Sequence, residues 1–577
     1  MKKSNRCICL ILVLVLIIVL SACGITDNKA VNDTAAKEPV TVQTTTGAPK
    51  PTETLKSSKE IADATTDVTV VTESLPTPLL PLVDKPVTLT VMYPRRTDHG
   101  NFDDMWFFKE IEKLTGITLK LTAIESIGWT ERKNLAFASG EYSDLFFSGI
   151  SYNDASKYGM AGLLIPLEDL LEQYSPNSKK IFNYLPNARK NMTSIDGHVY
   201  IMPSYDTPAR DMAAKTSFIN EAWLKKAGVA MPKTLDDLYI ALKAIRDGDG
   251  NENGAKDEIP LSFTYKAQAN NARTCILTGF GFVNERHDVI DNKYVYVPTH
   301  ENFRHYLQYM SKLYKEDLLD HEVFTQTSEQ YGAKISSYQV GLVTPEVRSY
   351  LSTPEQKHAY TIVGPLTSEY NQKLMWPALL NEKTSGSFCI TDKCKNPEAA
   401  VKLLDFLYSE QGSFMTKCGP EKGKWDGEGG WTRIVSGNEV SYTIEYPDKY
   451  SGFSTFRRAN GLMDNPFFYT DVHAKLVLSS DPDSTLISKQ VFESGAYDAR
   501  REGYPELVNF TEEEQDILAT FVLLDDYVDQ MAAKFITGAL DIDNDNEWNN
   551  YKRNIEALDV KTLIKTRQLA YDRWNSN

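Results

Sequence analysis

The sequence predicts an α/β protein whose sheets are flanked by helices. Three observations carry this. Val87-Thr88-Leu89-Thr90-Val91-Met92 is a β-rich run, followed by Met105, Phe108, Ile111 and Leu114 at helical spacing, with Gly116 as the stop. Ile117 to Ile124 alternates like a strand, and a second helix is expected from Trp129 to Ser139, stopped by Gly140. Leu145-Phe146-Phe147 is then a short buried strand. Strands alternating with helices build βαβ units and a parallel sheet. In such sheets ligands sit beyond the carboxyl ends of the strands, which places Tyr93 to Arg96 and Ser148 to Tyr152 at a mouth.

The chain opens differently. Met1 to Arg6 is basic, Cys7 to Leu20 is almost wholly aliphatic, and Leu20-Ser21-Ala22-Cys23-Gly24 follows. A basic start, an apolar stretch of this length and a small-residue site describe a secretory signal. Leu-Ser-Ala-Cys resembles a bacterial lipobox, where cleavage precedes Cys23 and its thiol carries a diacylglycerol. The alternative is an ordinary signal peptide with a stray cysteine. Acyl chains at Cys23 would anchor the protein to a membrane without spanning it. Ile25 to about Pro86 is rich in Thr, Ala, Lys, Pro, Ser and Asp and has no aromatic residue. It reads as a disordered tether of about 60 residues, on the order of 40 Å across if coil-like.

The remaining length suggests two to four domains. At 42% hydrophobic and 24% charged the chain is ordinary globular stock, and a net charge of −16 argues against nucleic acid. After the first helices, Val199-Tyr200-Ile201-Met202 reads as a strand closed by Pro203. Ser204 to Lys215 is a polar crossing. Phe218-Ile219-Asn220 leads into a short helix ended by Gly228. Thr234 caps a helix whose Leu235, Leu238, Leu242 and Ile245 form an apolar face. Later elements are a strand at Lys293 to Val297, a helix from Asn302 to about Tyr314, and a strand at Tyr338 to Val343. Asn396 caps and Pro397 starts a helix buried through Ala400, Leu403, Leu404 and Leu407. Thr511 to Glu514 is a capping box, and Ile517, Phe521, Leu524, Val528, Met531 and Phe535 predict one long helix to about Thr537. Cys389 and Cys394 bracket a short turn and could bridge outside the cell; buried free thiols are the other reading.

"DGHVYIMP" (from Asp196), "FINEAWLKKAG" (from Phe218), "MPKTLDDL" (from Met231), "DGNENGAKDEIPLSF" (from Asp249), "SGSFCITDKCKNPEAAVKLLDFLYSEQG" (from Ser385) and "FITGALDIDNDNEW" (from Phe535) come in an order and spacing that resemble one family. The chain is similar to bacterial extracellular solute-binding lipoproteins of carbohydrate ABC importers, over most of Val87 to Trp574. The resemblance implies a type II, two-lobed clamp of the periplasmic-binding-protein kind. It implies a signal peptide at 1–22, a lipidated Cys and tether at 23–86, the first lobe at 87–204 and 384–462, and the second at 205–383 and 463–577. It further implies a monomer on the outer face of the membrane that captures an oligosaccharide and passes it to a separate permease. An oligopeptide clamp and a surface sensor or carbohydrate-processing enzyme are the competing readings.

The sharpest local chemistry is Asp247 to Glu258. Counted from Asp249, side-chain oxygens fall at positions one, three and five (Asp249, Asn251, Asn253) and glycine at six. A backbone carbonyl is available at Ala255, and Asp257 and Glu258 stand at nine and ten. Calcium takes oxygen ligands from loops of this kind. Position twelve is Pro260, so Asp247 or Glu258 would complete the shell. The alternative is a solvated acidic turn. The acidic run Asp541 to Glu547 lacks the turn glycine and reads as a solvated loop.

Sugar sites pair aromatic faces with planar polar groups. With 8 Trp, 30 Tyr and 24 Phe, aromatics are available. The candidates at loop positions are Trp129, Tyr205, Trp376 and Trp431, with Arg95 and Arg210 as polar partners. The alternative for each is a packing residue; Trp431 stands out because a glycine-rich loop presents it. There is no HExxH, GxSxG, P-loop or GxGxxG, so no enzymatic reading is favoured.

Overall fold

The structure is a computed structural model. It describes residues 75–97, 99–185, 187–207, 216–265, 273–344, 347–378, 382–424, 429–436, 439–447, 449–450, 453–461, 465–470, 477–478 and 482–577. Among the described residues the chain builds two large hydrophobic cores, each around its own sheet, and two small satellite clusters. The first core draws on residues such as Leu89, Phe146, Ile201, Phe388, Leu404 and Phe468, and the second on Phe218, Leu242, Leu342, Trp376, Val528 and Trp548. This is the mixed α/β, two-lobed arrangement expected.

The strands of the two larger sheets are β1 Val87–Arg95, β2 Ile117–Glu125, β3 Leu145–Phe146, β4 Met202–Thr207, β5 Ser217–Asn220, β6 Ile259–Leu261, β7 Val340–Val343, β8 Tyr360–Val363, β9 Glu382–Ile390 and β10 Phe468–Thr470. Among the described residues the first sheet has the order β10-β4-β9-β3-β1-β2 and the second β8-β5-β7-β6. β1 pairs in parallel with β2 from Val87 opposite Ile117 to Arg95 opposite Glu125. Its inward residues Leu89, Val91 and Tyr93 are at most 1% exposed. The helix Trp106–Thr115 covers this sheet and ends where Gly116 turns left-handed at φ 76°. Its buried residues are Trp106, Phe107, Ile111 and Thr115, so the face is rotated from the expected one, with Phe108 and Leu114 only partly buried.

Several caps hold as read. The hydroxyls of Thr234 and Thr511 each accept from the backbone N–H three residues on, and Asp237 and Glu514 reach back to complete capping boxes. Asn396 precedes the helix Pro397–Tyr408, but its side chain makes no cap bond; Pro397 sets the start. The strand expected at Val199 begins instead at Met202 and contains Pro203. The pairing of β4 with β9 slips between Lys383 and Phe388, and a missing N–H is tolerated at such an irregularity. β7 starts at Val340 because Tyr338 has φ 55°, which no strand residue adopts. The long C-terminal helix is two: Glu512–Ala519 and Val522–Thr537. The Thr520 hydroxyl donates to the Ile517 carbonyl at the break. The four described cysteines, Cys275, Cys389, Cys394 and Cys418, are free thiols.

The folded body begins before Pro86. Leu75 is 5% exposed in the first core, its carbonyl accepts from the Glu410 N–H at 3.0 Å, and Leu82 is also buried there. Asn177 Nδ2 donates to the Pro76 carbonyl at 3.0 Å. Leu80, Leu82 and Val83 supply apolar contacts to the first core that the Thr-rich stretch before them has few residues to make, while Leu79 is exposed.

Candidate functional site

Strand directions decide where a ligand can sit. β1, β2 and β3 run parallel, β9 runs against β3 and β4, and β10 runs with β4. The carboxyl ends of five strands and the amino end of β9 therefore share one edge of the first sheet. The chain leaves that edge after Thr207 for β5 in the second sheet and re-enters it at Glu382. The passage between cores thus runs past the carboxyl ends of the parallel strands, where open sheets bind ligands.

A buried ion pair marks this edge. Asp206, the penultimate residue of β4, accepts from Lys417 Nζ at 2.5 Å, and they are 9% and 6% exposed. Lys417 belongs to the helix Glu410–Cys418, whose residues from Gly412 onward are all buried. Its ammonium lies 5.3 Å from the Phe467 ring centroid and 5.2 Å from that of Tyr469, which flank β10 and sit within it. An ammonium held by a carboxylate and two rings is a fixed charge at the strand ends. Sequence reading missed Asp206, Lys417 and Tyr469. The one available signal was a lysine inside the otherwise buried run Phe414 to Cys418.

A second polar pair stands after β3. Lys133 Nζ meets Asp154 Oδ2 at 2.5 Å, and Asp154 completes a capping box with Ser151 at the helix Tyr152–Met160. Trp129 packs beside it and donates its indole N–H to the Gly149 carbonyl at 2.7 Å. Gly149 has φ +78°, and a Cβ there would lie 2.3 Å from Trp129 Nε1. The loop conformation and the indole therefore require each other.

The candidates from sequence separate. Arg95, at the end of β1, lies 5.8 Å over the Phe102 ring and 4.0 Å from Glu125, partly exposed at the strand-end edge. Trp129 is 7% exposed near the same edge. Tyr205 and Trp376 are corrected: both are 0% exposed, Tyr205 in the first core and Trp376 in the second, so neither offers a ring face to a guest. Trp431 packs with Phe414 and Tyr442 beside the helix Glu410–Cys418. Arg210 and Cys23 lie outside the described residues.

The acidic loop folds on itself. Gly250 N–H donates to Glu258 Oε1 at 2.7 Å, Gly254 N–H to Asp249 Oδ2 at 3.2 Å, and Ala255 N–H to Asn253 Oδ1 at 2.7 Å. Glu252 and Gly254 take positive φ to close the turn. Asp257 accepts from Gln339 and from the Asn253 amide, which hold its carboxyl below the usual range. Asp249 Oδ1 and Glu258 Oε2 are buried without a hydrogen-bond partner among the described residues. Two unsatisfied carboxylate oxygens inside an acidic loop suit a cation. Asp247 departs from the expected set: its carboxylate faces outward, paired with Arg246 at 2.8 Å, which keeps its pKa low. No three His, Cys, Asp or Glu side chains among the described residues already converge as a metal shell.

Residues 93–413 match the family of bacterial extracellular solute-binding proteins. The fructooligosaccharide ABC transporter substrate-binding protein FusA of Streptococcus pneumoniae is 27% identical over 492 residues, 81% of this chain and 87% of that protein. Lipoprotein LipO of Bacillus subtilis is 24% identical over 372 residues, 62% of this chain and 72% of LipO. The structure of FusA with kestose superposes with a TM-score of 0.60 at 25% identity, covering 85% of this chain and all of that one. The same figures describe a FusA variant termed an EF-hand mutant, bound to fructo-nystose. A solute-binding protein of Bifidobacterium longum infantis, described as HMO-binding, reaches 0.68 at 22% identity, covering 85% of this chain and 99% of that one, a likeness of fold.

Proposed function

Because the chain belongs to the bacterial extracellular solute-binding proteins, its matched region spanning more than half of its length, we propose that it captures an oligosaccharide between its two lobes and delivers it to an ABC permease in the membrane. The observation that carries this reading is the shared edge of the first sheet, where parallel strand ends and the passages between cores coincide. Ligand held there touches both lobes only when they close, so binding shifts the population toward the closed state. No bond is made or broken by the chain. We divide the lobes after Thr207 and before Glu382, and count all of β4 and β10 in the first, since both pair in its sheet.

Arg95 and Trp129, with Asp206, Lys417 and Tyr469, are the polar and aromatic groups we assign to the first-lobe wall of this cleft; Arg210 stands in the segment between β4 and β5. Trp431 lies on the flank of the same lobe. Asp249, Asn251, Asn253, Asp257 and Glu258, with the Ala255 carbonyl, would hold a structural calcium that supplies charge balance and pins the loop. Cys23 carries the lipid anchor, which keeps the receptor at the extracellular face of the membrane as a monomer.

Calorimetry of the full-length chain in detergent micelles, with kestose, longer neutral oligosaccharides and oligopeptides, tests the reading. The expected result is saccharide binding with compaction in solution scattering. Binding of peptides alone, or saccharide binding without compaction, overturns it.

A further inference from the structure

A cavity of about 470 Å³ opens on the flank of the first lobe, at a place that the strand-end edge does not reach. Its size is that of a small-molecule pocket. One wall is the helix Trp106–Thr115, which presents Trp106, Glu110 and Leu114, one turn apart, while Phe107 and Ile111 face the core. The opposite wall is the helix Glu410–Cys418 with Glu410 and Phe414, roofed by Trp431 and Tyr442 from the hairpin Gly430–Ser436 and Glu439–Glu445. Gly429 and Gly430 have φ +99° and +123°, and a Cβ on either would come within 2.7 Å of a backbone oxygen. Only glycines bring the hairpin close enough to roof the cavity.

The lining has a definite chemistry. Phe414, Trp431 and Tyr442 form one aromatic cluster, with Phe414 and Tyr442 centroids 4.5 Å apart and Trp431 and Tyr442 5.6 Å apart. The Trp431 indole N–H is already given to the Gly419 carbonyl at 3.1 Å, so what the ring has left for a guest is its π system. Glu110, Glu410 and Glu421 line the space; Lys424 lies 3.7 Å from Glu421, Lys113 meets Glu110 at 3.2 Å and Arg433 stands by the Tyr442 hydroxyl, which leaves Glu410 as the lining carboxylate without an ion pair among the described residues. The bond that Glu410 accepts from the Tyr442 hydroxyl is long, 3.5 Å. Ionised carboxylates only accept, and aromatic faces attract positive charge. The Glu410 carboxylate beside the aromatic faces therefore favours a cation with an apolar body.

We propose that this cavity is a second binding site, separate from the saccharide cleft, which takes a small organic ammonium compound. The apolar body of the guest lies on the aromatic cluster and its ammonium is held by Glu410, with Glu110, which Lys113 also engages, on the facing wall. The proposal does not depend on which solute the cleft captures.

The test uses cyclohexylammonium and its neutral counterpart cyclohexanol as probes, titrated into the full-length chain by ligand-observed NMR. Cyclohexylammonium is expected to bind in the millimolar range and cyclohexanol at least about fivefold more weakly. Glu410→Gln, Glu110→Gln and Trp431→Leu, each checked for wild-type far-UV circular dichroism, should each weaken the amine by about fivefold. Equal binding of amine and alcohol, or amine binding untouched by both glutamine variants, overturns the proposal.

Discussion

Trp574, three residues from the C-terminus, donates its indole N–H to Asn191 Oδ1 across 2.9 Å. Asn191 belongs to the short helix Ala188–Met192, which precedes β4 of the first sheet, whereas Trp574 is on the helix Val560–Ser576, which packs on the second lobe's Lys293–Tyr296 strand. Three further contacts run the same way. Lys190 reaches the Asn575 carbonyl at 3.2 Å, Asn187 donates to Glu502 at 2.8 Å, and Asn509 donates to the Thr193 carbonyl at 2.8 Å. Trp574→Phe keeps an aromatic ring, though a smaller one, and removes the donor. It should cost about 1 kcal/mol in denaturant unfolding and broaden the range of lobe orientations in ligand-free solution scattering. An unchanged scattering profile would deny the junction any hold on the lobes.

Calcium removal should lower the melting temperature, and re-addition should restore it. A single site at a hundredfold excess over its Kd stabilises by about 2.7 kcal/mol. Asp249→Asn and Glu258→Gln should abolish the gain, because each removes charge from an oxygen that is buried and unpartnered. Magnesium should not substitute, since it demands a stricter geometry. Differential scanning fluorimetry with EDTA and the two ions reads all of this.

Asp405 is 4% exposed, and burial pushes its carboxyl up to about 6, against hydrogen bonds from the Asn177 N–H and the Ser175 hydroxyl that oppose the rise. The folded form therefore holds its proton more tightly than the unfolded chain does. Stability from this group is full below about pH 4 and is lost as pH rises to about 6, a change on the order of 2–3 kcal/mol. In Asp405→Asn that component of the pH dependence between 4 and 6 should vanish, as followed by urea midpoints at half-unit steps of pH.

Lys417→Met leaves the Asp206 carboxylate buried without its ammonium. Breaking such a pair costs about 3–5 kcal/mol. Asp206→Asn with Lys417→Met together should recover much of that loss, because no charge is then stranded. If the pair also lines the cleft, the double variant folds yet binds saccharide at least about tenfold more weakly than wild type. Equal affinity in calorimetry would assign the pair to stability alone.

Local chemistry was legible in the sequence, and long-range placement was not. Gly116, Gly140 and Gly228 stop helices in left-handed conformations, and Thr234 and Thr511 cap them, because these roles depend on neighbours a few residues away. Apolar spacing crossed the break at Thr520–Phe521 unnoticed, since residues on either side keep the same period while Val522 and Leu523 point to solvent. Tyr205 and Trp376 looked like surface aromatics, but strand pairings with partners more than a hundred residues away bury them. The Asp206–Lys417 pair is 211 positions apart, and no local pattern announces it.

Leu75 gives the receptor a fixed footing on one side. The chain enters the first core there, gripped by the Glu410 N–H on the Leu75 carbonyl and by the Asn177 side-chain amide on the Pro76 carbonyl. In the anchored form proposed above, a pull on the chain that enters at Leu75 would be borne by the first core. Closure of the second lobe, as proposed, would then work against a steady platform.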